Sequence, residues 1–343
     1  MIGLSQMSKK ILVTLGPSSL NKEVITKCTD LGVYLFRINL SHTAIDEVTP
    51  IIKKIRKWTD TPICLDSEGA QLRNQKMKGE IVTFIKNDEV IIHFEPVVGD
   101  SNNISFSPDG IVKQFIIGDE ISIDFNHVRL IVTDVKTDGV MATVLSGGEV
   151  GSNKAADIQR DLKLDPLTNK DCKAIEIGLG LDICNFALSF ANTPEDVDLM
   201  RAMCGLDANI ICKIESPSGL ANINGIIDRA DEILIDRGDL SRKVPIQKIP
   251  FLQRQIISVS RELNTQVFVA TNLLESMVTK KSPTRAEVND VASTLLMGAD
   301  GLVLAAETAV GSFPVEAVSM IRSLINESET WTPNSSLSDI LGL

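Results

Sequence analysis

The sequence predicts a (β/α)8 barrel with a small all-β barrel domain inserted after its third strand. Two observations support this prediction. Eight β-rich runs alternate with amphipathic helical segments, and one long stretch after the third run lacks helical periodicity. Alternating strands and helices are typical of a parallel sheet, and eight such units over about 250 residues are typical of this barrel. The chain has 343 residues, enough for the barrel and one insertion.

The barrel is predicted to begin with three strands. Lys10–Leu15 has the composition of a strand closed by Gly16 and Pro17, and Ser19–Asn21 has the composition of a cap for the helix that follows to about Asp30. The next elements predicted are a strand, a helix and a strand: Tyr34–Leu40, Ile45–Trp58 and Pro62–Leu65.

The stretch from residue 74 to residue 160 has a different pattern. Period-two alternation and turn dipeptides such as Asp109-Gly110 and Asp138-Gly139 replace the helical period. The strands predicted here are Gly79–Phe84, Glu89–Phe94, Asp119–Ile123, Val128–Val135 and Gly139–Leu145. This stretch is therefore predicted to form the inserted β-barrel domain.

Strands and helices alternate again after Pro166. The predicted strands are Ile183–Phe190, Asn209–Glu215, Glu232–Gly238, Gln266–Asn272 and Gly301–Glu307. The predicted helices are Asn169–Leu179, Pro194–Cys204, Leu220–Arg229, Gln247–Leu263, Thr284–Met297 and Pro314–Asn326. The resulting division assigns 8–73 and 161–326 to the barrel, 74–160 to the inserted lid domain and 327–343 to a polar C-terminal tail.

Composition narrows the class of function. A net charge of −11 argues against a broad surface for nucleic acid or for an anionic membrane. No apolar run reaches about 18 residues, so no transmembrane helix is expected, and the N-terminus lacks the apolar core of a signal peptide. Six cysteines without a Cys-x-x-Cys pair fit a reducing compartment. These features predict a cytoplasmic protein that acts on small molecules.

Polar residues gather at the predicted C-terminal strand ends, where barrels of this kind carry their active sites. Lys213 and Glu215 are two residues apart in a strand and should point to the same face. Glu215 and Asp239 are predicted to hold a hard divalent cation, while Lys213 and Arg37 would neutralise an anion beside it. Gly238 would let backbone N–H groups approach a carboxylate. Such a set suits the stabilisation of an enolate or of a phosphoryl group in transfer.

Any one of these side chains is more often a salt bridge or a strand-end cap. Their occurrence at one predicted rim favours a functional site. The other polar residues predicted there are Asn39, Ser41, Asp66, Ser67, Arg73, Thr271, Asn272, Glu307 and Thr308.

At these residues the sequence resembles the pyruvate kinase family. The similarity covers about residues 8–326 and is strongest over 209–318. The matching segments, in family order, are Lys10–Ser19, Arg37–His42, Leu65–Arg73, Thr168–Asp171, Lys213–Glu215, Arg237–Leu240, Ala270–Met277, Pro283–Glu287 and Glu307–Ala309.

The resemblance implies an enzyme that transfers a phosphoryl group between phosphoenolpyruvate and ADP through enolpyruvate, as a step of glycolysis. It implies Mg2+ or Mn2+ at Glu215 and Asp239. Lys213 is implied to stabilise the phosphoryl group and the enolate, and Arg37 to contact the phosphate.

The resemblance also assigns the substrate side, a cation site and a nucleotide side. Gly238, Asp239 and Thr271 are implied to line the carboxylate and methylene side of phosphoenolpyruvate, with Thr271 near the proton transferred to the enolate. The residues that match the family's K+ site are Asn39, Ser41, Asp66 and Ser67. Those on the nucleotide side are His42, Arg73 and Lys154.

Several positions depart from the family pattern. Asp236 stands where the family usually has a small residue and adds negative charge beside the substrate pocket. Gln71 replaces the glutamate associated with K+ dependence, so the requirement for K+ is left open. Asp124–Asn126 and Lys154–Gln159 differ from the corresponding motifs of the family's lid. The chain is also expected to lack the family's C-terminal regulatory domain, and homo-oligomerisation is left open.

These departures keep two alternatives to the first hypothesis. One is a specialised, biosynthetic metal-dependent enzyme that acts on phosphoenolpyruvate or a pyruvate-like acid with an acceptor other than ADP. The other is a paralogue without catalytic activity that binds a phosphometabolite or pairs with another subunit.

Overall fold

A computed structural model of the chain describes residues 9–69, 71–124, 127–160 and 162–342. The chain forms two compact units, Met1–Gly69 with Asn169–Leu343 and Ala70–Thr168. The predicted boundaries at 73/74 and 160/161 stay a prediction. Residue 8, where the barrel was expected to begin, and Asp161 lie outside the described residues, as do Phe125 and Asn126 of the altered lid motif.

The first part of the barrel contains five elements. They are β1 (Lys10–Leu15), α1 (Lys22–Asp30), β2 (Leu35–Asn39), α2 (Ile45–Ile55) and β3 (Ile63–Asp66). Asn21 caps α1 as predicted, since its side chain accepts a hydrogen bond of 3.1 Å from the N–H of Val24. Such a cap satisfies a backbone donor that the first helical turn leaves free.

The described residues of the inserted unit form nine strands. They are β4 (Arg73–Asn74), β5 (Ile81–Phe84), β6 (Glu89–His93), β7 (Asn103–Ser107), β8 (Glu120–Ile123), β9 (Val128–Val135), β10 (Gly139–Ser146), β11 (Gly148–Gly151) and β12 (Ala156–Ile158). Seven form a mostly antiparallel sheet in the order β12-β8-β9-β10-β6-β7-β4, and β11 pairs with β5. Alternate residues such as Val90, Ile92, Leu130 and Val132 face its own apolar core. The predicted all-β character of the insertion is confirmed.

The barrel continues with fifteen elements. They are α3 (Asn169–Leu179), β13 (Asn185–Leu188), α4 (Pro194–Cys204), β14 (Asn209–Ile214), α5 (Pro217–Ala221), α6 (Ile223–Ile227), β15 (Glu232–Asp236), α7 (Arg237–Lys243), α8 (Ile249–Glu262), β16 (Gln266–Ala270), α9 (Arg285–Leu296), β17 (Gly301–Leu304), α10 (Ala306–Ala309), α11 (Pro314–Thr330) and α12 (Leu337–Leu341). The predicted polar tail thus contains the end of α11 and the short helix α12.

Three predicted elements need correction. The strand expected to reach Gly238 ends at Asp236, because the Asp236 side chain accepts from the N–H of Gly238 and caps α7. The single helix expected near Leu220 is two short helices, the first capped by Ser216. The last barrel strand stops at Leu304, and the residues after it enter α10.

Eight parallel strands close the predicted barrel in the order β1-β2-β3-β13-β14-β15-β16-β17, with β17 returning to β1. Its interior is apolar: Leu12, Leu35, Cys64, Ala187, Ile211, Leu234, Phe268 and Val303 pack together. Parallel pairing brings the C-terminal ends to one rim. There Asn39 lies opposite Asp66, and Asp236 opposite Ala270. Among the described residues, no helix is long and apolar enough to cross a membrane.

Candidate active site

Lys213 lies at the centre of the polar rim. It is close to the C-terminal end of β14, and only 6% of its surface is exposed. Its Nζ lies 2.9 Å from Oε1 of Glu215 and 3.5 Å from Oδ2 of Asp66, and it donates a hydrogen bond of 3.0 Å to Oγ of Ser189. Lys213 and Glu215 are two residues apart, and strand alternation places residues at this spacing on the same face.

The charge state of this pair follows from its surroundings. Burial alone would lower the pKa of Lys213, but the carboxylates of Asp66, Glu215 and Asp236 outweigh it and raise that pKa above its ordinary value. Burial raises the pKa of Glu215 to about 8, although Lys213 pulls it down. Lys213 therefore stays cationic. Ionisation of the buried Glu215 costs free energy unless further positive charge lies beside it.

Two more carboxylates join Glu215 to form the acidic cluster: Glu215, Asp236 and Asp239 each offer an oxygen, and these atoms all lie within 4.8 Å of one another. Burial and the neighbouring Asp236 raise the pKa of Asp239, and Arg242 reaches its Oδ1 at 3.3 Å. Oε1 of Glu215 is buried, and it shares the ammonium of Lys213, 2.9 Å away, with the neighbouring carboxylates. Converging carboxylate oxygens of this kind are the ligands that Mg2+ or Mn2+ prefers.

Asp236 is a member of this cluster that sequence reasoning did not assign as a ligand. Its Oδ1 accepts hydrogen bonds from the hydroxyl of Thr271 at 2.6 Å and from the N–H of Gly238 at 3.1 Å, and its Oδ2 lies 4.0 Å from Nζ of Lys213. Burial opposes its ionisation, but Lys213 and the Thr271 hydrogen bond lower its pKa. The signal in the sequence was the departure from a small residue at position 236.

Gly238 is required by close packing against Thr271. A Cβ at this position would lie 2.7 Å from Cγ2 of Thr271, which is closer than real Cβ contacts allow. Its N–H points to Asp236, so the backbone donor predicted for a substrate's carboxylate is engaged by this side chain.

Thr271 has a strained backbone that several bonds hold in place. Its φ is 75°, and that of Asn272 is 55°, in the left-handed region that non-glycine residues seldom adopt. Arg237 donates from Nη2 and Nε to the carbonyl of Thr271, at 2.6 and 3.1 Å, and pairs with Asp290 at 2.7 Å. The hydroxyl of Thr271 is held toward Asp236 by its hydrogen bond of 2.6 Å.

Arg37 and Asp66 form a second, buried ion pair beside Lys213. Nη1 of Arg37 lies 2.9 Å from Oδ2 of Asp66, and its Nε donates to Oγ1 of Thr14 at 2.9 Å. The structure therefore brings Arg37 and Lys213 to a shared carboxylate, as their predicted roles beside one anion require.

Of the residues predicted to bind K+, Asn39, Asp66 and Ser67 have side-chain oxygens with partners within the chain. Oδ1 of Asn39 accepts from the N–H of Ser41, Oγ of Ser67 accepts from the N–H of Ser189, and both oxygens of Asp66 are engaged. A monovalent cation at these residues stays a prediction from the sequence.

Other predicted residues of the rim are structural in their contacts. Glu307 is buried and accepts from the N–H groups of Leu274 and Ala305, at 3.1 and 2.9 Å. Thr308 donates to the carbonyl of Thr14 at 2.8 Å. His42 is exposed at the end of a short 3-10 helix.

In the inserted unit, the two predicted nucleotide residues have partners of their own. Arg73 donates to the carbonyl of Asn153 at 2.9 Å and to the side chain of Gln71 at 2.8 Å. Lys154 lies 3.1 Å from Oδ2 of Asp124.

Fold and rim together define a (β/α)8-barrel protein whose strand ends combine a buried lysine with three convergent carboxylates. The family model for the pyruvate kinase barrel domain matches residues 6–318. The chain belongs to the pyruvate kinase family, as its motifs predicted.

Curated relatives agree with this assignment. A pyruvate kinase of Methylorubrum extorquens is 34% identical over 326 residues, which are 93% of this chain and 68% of the relative. The pyruvate kinase of Thermotoga maritima is 34% identical over 331 residues, or 94% and 71%. That of Thermococcus litoralis is 33% identical over 331 residues, or 94% and 70%.

Proposed function

We propose that this phosphotransferase transfers a phosphoryl group between phosphoenolpyruvate and ADP through enolpyruvate. The observation that carries the proposal is the buried ammonium of Lys213, 2.9 Å from Glu215 at the edge of the acidic cluster. A fixed cation beside metal-ligating carboxylates can stabilise the negative charge that develops on an enolate oxygen or on a phosphoryl group in transfer.

Glu215 and Asp239 would hold Mg2+ or Mn2+, for which their oxygens are suited because they converge with one oxygen of Asp236 within 4.8 Å. Such an ion would supply Lewis-acid stabilisation of the substrate's oxygens. A monovalent cation at Asn39, Ser41, Asp66 and Ser67, and nucleotide contacts at His42, Arg73 and Lys154, stay predictions from the sequence.

The chain's own groups have distinct tasks in this proposal. Lys213 keeps its proton, because three carboxylates raise its pKa, and can direct that charge at the reacting oxygens. Arg37 would contact the phosphate with the part of its guanidinium that does not bind Asp66 or Thr14. Thr271 would stand near the proton delivered to the enolate, with its hydroxyl oriented by the hydrogen bond that it donates to Asp236.

We place the enzyme in the cytoplasm, as a glycolytic activity on small-molecule substrates without a nucleic-acid or membrane partner; self-association is left to measurement. The decisive experiment couples pyruvate formation from phosphoenolpyruvate to a detectable reaction, with and without ADP and Mn2+. Pyruvate should form only when both are present. Pyruvate that forms without ADP, or none from a well-folded protein, would reject the proposed reaction.

A further inference from the structure

Asp236 places a carboxylate in the acidic cluster with different surroundings for its two oxygens. Oδ1 accepts the hydroxyl hydrogen of Thr271 and the N–H of Gly238, at 2.6 and 3.1 Å. Oδ2 faces the ammonium of Lys213 at 4.0 Å. One oxygen of Asp236 also lies within 4.8 Å of ligand atoms of Glu215 and Asp239.

A small carboxylic acid bound beside a divalent ion needs the same surroundings. One of its oxygens requires hydrogen-bond donors and the other a cation. The family resemblance implies that the substrate's carboxylate lies against Gly238 and Thr271, and the present inference rests on this implication and on the proposed function. A hydroxyl and a backbone N–H each donate only one hydrogen, and both hydrogens are already engaged by Asp236.

We propose that the carboxylate of Asp236 occupies the position of the substrate's carboxylate, so that an acid binds only when this side chain gives up its two donors. Two carboxylates at one position repel each other and cannot share those donors. Asp236 is therefore a residue that sets the affinity and specificity of the site for carboxylic acids.

Positive charge stays beside Asp236 when it gives up its two donors, because its Oδ2 already faces the ammonium of Lys213 at 4.0 Å. When an acid takes Thr271 and Gly238, Asp236 can keep its charge compensated by Lys213 and by a divalent ion held at Glu215 and Asp239. Acid binding then costs the two hydrogen bonds of Asp236 and does not require an unpaired buried charge.

The test measures binding of phosphoenolpyruvate and of pyruvate to the full chain by calorimetry at saturating Mn2+. Asp236→Ala empties the position. Asp236→Ser also removes the carboxylate, but serine is a good N-cap residue and should keep α7 stable. We expect both variants to bind the two acids about tenfold to hundredfold more tightly than the wild type, the range expected for hydrogen bonds to a charged group.

Asp236→Asn keeps the acceptor and removes the charge, so its gain should be smaller than that of the alanine variant. Inorganic phosphate, which has no carboxylate, gains only from the loss of the negative charge, so its affinity should rise much less than that of the two acids. Asp228→Ala, an exposed change before β15, is the charge control and should leave acid binding unaltered. Equal or weaker acid binding by both emptied variants would overturn the proposal, as would a gain that extends equally to phosphate.

Pyruvate formation by the wild type is measured in parallel and separates the two proposals. Tighter acid binding by the variants without any ADP-dependent activity of the wild type rejects the proposed reaction and keeps the role of Asp236. ADP-dependent activity of the wild type, with unchanged acid affinity in the variants, keeps the proposed reaction and rejects the role of Asp236.

Discussion

The acidic cluster and the loop after β16 both contain carboxylates, but their surroundings shift the pKa of a carboxylate in opposite directions. Glu287, in the first turn of α9 at the end of this loop, accepts four hydrogen bonds, from the N–H and the hydroxyl of Ser276 and of Thr284, at 2.6 to 2.9 Å. Burial opposes its ionisation, but these donors lower its pKa to about 2. In the cluster, burial raises the pKa of Glu215 to about 8.

The difference lies in the supply of donors. Oε2 of Glu215 accepts the N–H of Phe190 at 2.7 Å, and its Oε1 lies 2.9 Å from the ammonium of Lys213, which also faces Asp66 and Asp236. A carboxylate surrounded by hydrogen-bond donors ties segments of the chain together, and one that shares a single lysine with other carboxylates is available for an ion. The capping box of Thr284 and Glu287 is a local sequence signal, whereas the contact of Glu215 with Phe190 joins residues 25 positions apart.

The largest effect expected on the cluster side is that of Lys213→Ala. Removal of the ammonium takes away the fixed positive charge at the proposed reacting oxygens, so kcat should fall by about a thousandfold or more. Pyruvate formation at saturating phosphoenolpyruvate, ADP and Mn2+ measures it. Circular dichroism and thermal unfolding are recorded on the same sample, so that loss of activity can be separated from loss of fold.

Lys248→Ala is the matched control, an exposed lysine before α8 whose loss should leave kcat unaltered. A well-folded Lys213→Ala protein with near-normal kcat would contradict the comparison, because the cluster would then be structural like the loop.

A smaller effect is expected for Glu215→Gln, measured as binding of Mn2+ alone. Glutamine keeps the size of the side chain and can accept the N–H of Phe190, but it lacks the charge that attracts a divalent ion. Affinity for Mn2+ should fall by about tenfold to a hundredfold, in the range that perturbed ligand shells give. Asp228→Asn removes one exposed charge and should not change it. Unchanged binding in the glutamine variant would place the ion elsewhere.

Much of the fold could be predicted because its signals are local. The predicted helices Asn169–Leu179 and Pro194–Cys204 have the observed bounds, and Thr193 caps the second through a capping box with Asp196. Strand β7 was missed, although polar and apolar residues alternate along it. It pairs parallel with β6, so no tight hairpin turn in the sequence indicates the pairing. Helix α7 was taken as the end of a strand, because the cap at Asp236 was not foreseen.

The candidate site was predictable to the same degree. Lys213 and Glu215 are two residues apart, so strand alternation alone places them together, and the rim rule adds Asp239. The contact of Asp236 with Thr271 joins residues 35 positions apart on neighbouring strands. Neither the rotamer of Asp236 nor the left-handed backbone of Thr271 follows from local pattern, so the occupied donors could not be foreseen.

The smallest effect expected is on the loop side, where Glu287→Gln should lower stability. The glutamine has one acceptor oxygen for donors that a charged carboxylate now satisfies, and we expect a loss of about 1–2 kcal/mol in the free energy of unfolding at pH 7. Since the folded-state pKa of Glu287 is lowered, its contribution is present above the unfolded value near 4.5 and is lost as the pH falls toward about 2. The difference between wild type and variant in urea unfolding should therefore shrink as the pH falls through this window.

Glu275→Gln is the control. It changes an exposed carboxylate of the same loop that accepts one hydrogen bond from Asn272, and it should lower the free energy of unfolding by less than about 0.5 kcal/mol. A difference between wild type and Glu287→Gln that persists unchanged at pH 2 would show that the charge of Glu287 is not what holds the loop, and the contrast with Glu215 would then rest on geometry alone.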